Sequence, residues 1–162
     1  MKRSAVVLAA LLLGATLATP HPAAADQNLA TGGAGGIYPP GTTFDGVPIN
    51  GLQLGFGVEI NPDDSSALGQ LCTILIGVSP LGLEQDITIE GQITNASRNA
   101  ANMAVLSGTA SVDMGDGLPP TPGIPFTATV TTDANGQGTV VLAISLTTLP
   151  AATVNAGSMT IE

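Results

Sequence analysis

Carboxylates are the side chains that this sequence gathers into groups. Asp63-Asp64 lies in the turn cluster Asn61-Pro62-Asp63-Asp64-Ser65-Ser66, and Asp113-x-x-Asp116 lies in a Gly- and Pro-rich stretch. Calcium is a hard cation that needs only oxygen ligands. Asp63, Asp64, Asp113 and Asp116 are therefore the candidate metal ligands, and they would share an ion if both loops met at one end of the fold. The competing reading is a set of solvated turn residues, because Asp bonds its own backbone in turns. A second use of paired carboxylates is glycoside hydrolysis, for which Asp45 and Glu84 are further loop acids. Sugar sites also call for aromatic platforms, yet Tyr38, Phe44, Phe56 and Phe126 are the whole aromatic set, and two of them fall on expected core faces. Asp133-x-Asn135-x-Gln137-Gly138 imitates the start of an EF-hand loop, but its twelfth position is Ile144 where a bidentate acid is required.

Nucleophilic chemistry fails for want of a base. Lys2-Arg3, the apolar run Ala5 to Ala18 and the small residues Ala23-Ala24-Ala25 follow the order of a secretory signal. The run is about 14 residues, short of the ~20 that span a bilayer as a helix. Residues 1–25 are thus expected to be cleaved after Ala25, leaving a secreted or periplasmic chain without a transmembrane anchor. Cleavage removes His21, which is the only His, and two of the three cations. Arg98 then stands alone against twelve carboxylates. Without His or Lys, Ser-His-Asp, Cys-His, Ser-Lys and Schiff-base arrangements are excluded. One Cys cannot build a zinc site, and no phosphate-binding fingerprint is present. The expectation is a protein that is not an enzyme and has no cofactor, calcium aside. Nucleic acid and anionic lipid are excluded as partners by charge.

Cys72 is the only cysteine, so it can form a disulfide only between chains. Its setting, Leu71-Cys72-Thr73-Ile74-Leu75-Ile76, predicts a small hydrophobe packed in a buried strand instead. Asn95-Ala96-Ser97 is a glycosylation sequon, relevant in a eukaryotic host.

The elements that must position these residues read as strands. Residues 26–51 form a Gly/Pro-rich segment, of which 26–41 has the composition of a linker. Residues 52–162 form the folded domain. Leu52, Leu54, Phe56, Val58 and Ile60 alternate with polar or small residues, the signature of a half-buried strand. Gln70 to Val78 is nearly continuous and apolar. Ile87, Ile89 and Ile93 alternate, with Gly91 as a bulge candidate. Further strands are expected at Met103 to Val112, Ile124 to Thr131, Gly138 to Leu146 and Gly157 to Ile161. No helix is expected beyond the signal. Leu118-Pro119-Pro120-Thr121-Pro122 departs from the LPxTG sorting motif at its last residue and reads as a proline-rich loop. About seven strands of this kind predict an all-β protein, a single antiparallel sandwich.

One hairpin can be read in register. A two-residue Asn135-Gly136 turn would put the apolar residues of its two strands on opposite faces. A three-residue loop, Ala134-Asn135-Gly136, instead pairs Val130 with Val140, Ala128 with Leu142 and Phe126 with Ile144. Asp133 then opens a type I turn and Gly136 takes the left-handed bulge position. Thr131-Thr132-Asp133-Ala134-Asn135-Gly136-Gln137-Gly138-Thr139-Val140 resembles the T-D-x-N-G-x-a-x-V hairpin of bacterial immunoglobulin-like domains of the invasin and intimin type. The resemblance covers residues 127–146 and implies an immunoglobulin-like sandwich with a structural or adhesive role at a cell surface.

The functional expectation is an exported, non-catalytic β-sandwich. It would act as a structural or interaction module of the cell envelope or secretome, toward a protein or cell-surface partner. The alternative is a secreted calcium- or carbohydrate-binding domain. A small outer-membrane barrel would share the alternation but should carry aromatic girdles.

Overall fold

The computed structural model describes residues 28–61 and 66–162, which hold ten strands and no helix. The expected signal peptide at 1–25 lies outside them. The strands are β1 (Asn28–Ile37), β2 (Thr43–Phe44), β3 (Val47–Ile60), β4 (Ser66–Gly77), β5 (Ile87–Ala100), β6 (Met103–Asp113), β7 (Thr121–Thr132), β8 (Gly138–Ile144), β9 (Thr147–Thr148) and β10 (Ala152–Ile161). All pairings are antiparallel.

The all-β reading holds, but the seven-stranded sandwich does not. All ten strands belong to one continuous sheet, and that sheet closes on itself. β1 pairs with β10 on one side and with β3 on the other. β3 to β8 then follow as neighbours, and β8 returns to β10. β9 and β10 act as two halves of one strand along β8, interrupted at Pro150, with Leu149 N–H donating to Leu142 O between them. The eight long strands thus form a closed up-and-down barrel, to which β2 adds a short pairing with β3.

Closure depends on β1, the segment that composition reads as a linker. Its glycines supply room rather than flexibility. A Cβ on Gly32 would lie 2.9 Å from Met159 Cγ and 3.0 Å from Phe56 Cε1. A Cβ on Gly36 would lie 3.1 Å from Leu52 Cδ2. Small residues at alternate positions of β1 therefore let large side chains of β3 and β10 fill the interior. Gly91 plays the same part under Phe126, whose Cε1 would be 2.7 Å from an added Cβ. It is not a bulge: it pairs regularly with Leu71 and Ala110, and the register shifts of β5 fall at Ile93/Asn95 and Arg98/Ala100 instead.

The interior is one apolar cluster. Leu52, Leu54, Phe56, Val58 and Ile60 all face inward, as their alternation requires. Barrels of eight long strands are just wide enough for side chains to fill. The outward face carries Gln53, Glu59, Gln70, Thr88, Glu90 and Gln92. A lipid-embedded barrel has the reverse polarity, with an apolar band outside.

The β7–β8 hairpin has the bulged register. Phe126, Ala128 and Val130 pair with Ile144, Leu142 and Val140. Gly136 N–H donates to Asp133 O at 3.1 Å, and Gly136 has a φ of 74°. Asp133 Oδ1 also accepts from the backbone of Asn135 and Gln137 at 2.8 and 3.0 Å. Its carboxylate thus shapes a turn.

Candidate functional site

The barrel has two unlike ends. One end carries the β3–β4, β5–β6 and β7–β8 connections, with the chain's first and last described strand positions. The other carries the longer connections at 38–46, 78–86 and 114–120 and the Ser145-Leu146 turn. We call the latter the long-loop end.

Asp113 and Asp116 lie at the long-loop end. Asp113 Oδ1 accepts from Gly115 N–H and Asp116 Oδ1 from Leu118 N–H, both at 2.9 Å. These are turn-forming contacts of the kind Asp makes without any ion. Asp63 and Asp64 lie outside the described residues. The strand positions that flank them, Ile60 and Ser66, are at the opposite end of the barrel from Asp113. Among the described residues no three of His, Cys, Asp and Glu are grouped to hold a metal ion. The aromatic side chains Tyr38, Phe44, Phe56 and Phe126 are all buried, so none offers a stacking platform to a sugar.

Cys72 is exposed, contrary to the buried position its neighbours suggest. Leu71, Thr73 and Leu75 turn inward on β4, which sends Cys72, Ile74 and Ile76 outward. The run is apolar at both parities, so alternation alone could not choose the face. The thiol sits in a shallow groove of about 610 Å³ across β3 to β6. Gly55 and Gly57 form its floor on β3, where an added Cβ would meet nothing within 4 Å. Cys72 pairs with Gly55 on one side and Glu90 on the other. A reactive thiolate needs a positive neighbour, and Glu90 is the opposite. The groove offers amide, carboxylate and hydroxyl groups from Gln70, Gln92, Glu90 and Ser111. Asn95 of the sequon is exposed, in β5 at a register shift.

Among the described residues two buried hydroxyls have no partner, Tyr38 Oη and Thr73 Oγ1. Burial holds the Tyr38 phenol well above its ordinary range, so it stays protonated.

The feature that residue chemistry did not reveal is apolar. Leu81, Leu83, Leu118 and Leu146 are exposed, and each stands in a loop or turn of the long-loop end. Each loop is built to present its leucine. Gly82 N–H donates to Ser79 O at 2.9 Å, closing the turn Ser79-Pro80-Leu81-Gly82. Ser79 Oγ accepts from Leu83 N–H at 3.2 Å. Asp116 holds the turn into Leu118. Ser145, at a φ of 53°, makes the tight turn that projects Leu146 and donates its N–H to Pro125 O. Gln85 Nε2 donates to Met114 O at 3.0 Å, tying the 78–86 loop to the 114–120 loop. For Leu81, Leu83 and Leu118 the signal was present in the sequence as leucines among Gly, Pro and Ser, where turn chemistry calls for polar residues; Leu146, expected to end a strand, lies instead beyond β8, which stops at Ile144. Comparison with models of protein families, with characterised proteins and with solved structures gave no match to this chain.

Proposed function

We propose that this protein is an exported, non-catalytic binding module of the cell envelope or secretome, acting through a contact surface carried by a rigid barrel. The observation that carries the reading is the leucine-tipped long-loop end. Isolated exposed leucines are ordinary, but four on the loops of one rim, 65 to 100% exposed, support a contact surface there. Binding residues commonly sit on loops positioned by a rigid scaffold. The apolar interior supports a scaffold role for the barrel, and the groove at Cys72 holds one carboxylate, Glu90, where glycoside hydrolysis uses a pair.

The test is affinity capture from an envelope extract of the source cells, with the wild-type chain and with a variant carrying L81S, L83S, L118S and L146S. Partners retained by the wild type and lost by the variant are the expected result. A defined turnover by the purified protein on a hydrolase substrate panel would overturn the reading.

A further inference from the structure

The leucines are not the only residues gathered at the long-loop end. Asp45, Glu84, Asp86, Asp113 and Asp116 stand in or at the margins of the same loops. No Lys, Arg or His accompanies them among the described residues. Arg98 lies near the opposite end, where its guanidinium donates to Ala101 O beside the β5–β6 turn. The rim therefore combines exposed apolar tips with several carboxylates that have no cation nearby. From this we infer that the long-loop end docks a partner segment in which Lys or Arg side chains flank apolar ones. The inference rests on the binding-module reading and specifies the chemistry of the partner.

Charge decides among the occupants. A second copy of this chain would bring a like-charged rim against the first, and like charges placed together oppose association. An anionic lipid surface is repelled for the same reason. A cationic apolar segment satisfies both features: its apolar side chains cover leucines that are 65 to 100% exposed, and its cations meet the carboxylates. The turns at Ser79–Gly82 and Asp116–Leu118 hold the leucines in place before binding, which lowers the ordering cost of association. The carboxylates around them would speed encounter and make it sensitive to salt.

The probes are three fluorescent peptides of equal length, with alternating Leu and Lys, Leu and Glu, or Ser and Lys, titrated against the full chain by anisotropy. The Leu-Lys peptide is expected to bind at least tenfold more tightly than either other peptide, and more weakly as salt rises. The variant L81S/L83S/L118S/L146S should lose at least tenfold. A second variant, D45N/E84Q/D113N, keeps the leucines and the backbone-accepting oxygen of residue 113, and should also lose about tenfold. Circular dichroism of both variants should match the wild type, since the leucines, Asp45 and Glu84 are exposed and D113N keeps the oxygen that accepts from Gly115 N–H. Equal binding of the Leu-Glu peptide would overturn the inference, as would unchanged Leu-Lys binding by the leucine variant. Leucine-dependent dimerisation in sedimentation, or leucine-dependent binding to phosphatidylcholine vesicles in place of peptide binding, would overturn it in favour of a second copy or a lipid surface. Loss of peptide binding alongside retained, leucine-dependent capture from the envelope extract would sink the charge class alone. A turnover would sink the binding-module reading itself.

Discussion

Tyr38 and Thr73 each place a hydroxyl inside an apolar barrel without a hydrogen-bond partner. A buried unsatisfied polar group costs about 1–3 kcal/mol. Removing the hydroxyl while keeping the shape should relieve that cost. Thr73→Val and Tyr38→Phe are each expected to raise stability by roughly 1 kcal/mol in urea titration at neutral pH. The two changes differ at high pH. The folded chain holds the Tyr38 phenol protonated above the pH at which the unfolded chain releases it. Above about pH 10 the unfolded state therefore binds fewer protons, and stability falls as pH rises. Tyr38→Phe should flatten that alkaline limb, whereas Thr73→Val should leave it in place. A wild-type alkaline limb unchanged by Tyr38→Phe would show that another group is responsible. Thr73 also explains Cys72. One of these neighbours must face the interior, and the β4 register selects Thr73.

At the scale of elements, glycine has two opposite uses in adjacent positions. Gly32 faces the interior against Met159 and Phe56, while Gly33 faces open solvent. Gly32→Ala should destabilise by roughly 1–3 kcal/mol through overpacking. Gly33→Ala should be neutral or stabilising by up to about 1 kcal/mol, since Gly weakens a strand interior where nothing requires it. Thermal melts of the two single variants check the contrast, and equal effects would refute the packing account of β1. The same strand shows where the sequence is legible. β3 could be read because Leu, Phe, Val and Ile at alternate positions leave no doubt about their face. The β7–β8 hairpin could be read because Asp133 and Gly136 fit only one turn that also aligns the apolar faces. β1 could not, because Ala30, Gly32, Ala34 and Gly36 are inward-facing yet carry almost no hydrophobic signal. Leu81, Leu83 and Leu118 stand among Ser, Pro and Gly, whose turn chemistry says nothing of what a loop exposes, whereas Leu146 continues the alternation of Val140, Leu142 and Ile144 into the turn that ends β8.

For the whole molecule, the decisive interaction is the one between the first and last strands. Ala30 pairs with Ile161, a partnership that no local pattern announces. This is why periodicity predicted the strands but assembled them into two layers instead of a ring. A chain ending at Ala151 lacks β10 and leaves β1 and most of the barrel wall without closure. It is expected to lose its cooperative thermal transition and to aggregate, as read by circular dichroism and size-exclusion chromatography, because open edges pair with other chains. A sharp, reversible melt of that truncated chain would show that the ring is dispensable.

Ring closure also imposes an order in time. Synthesis runs from β1 toward β10, so the earliest strand waits for the latest. Until β10 emerges, β1 can pair only with β3 and shows its other side to every nascent chain nearby. That exposed strand is Asn-Leu-Ala-Thr-Gly-Gly-Ala-Gly-Gly-Ile, poor in the β-branched and aromatic residues that make a sticky template. The glycines that later make room for Phe56 and Met159 thus also keep the waiting strand from recruiting the wrong partner.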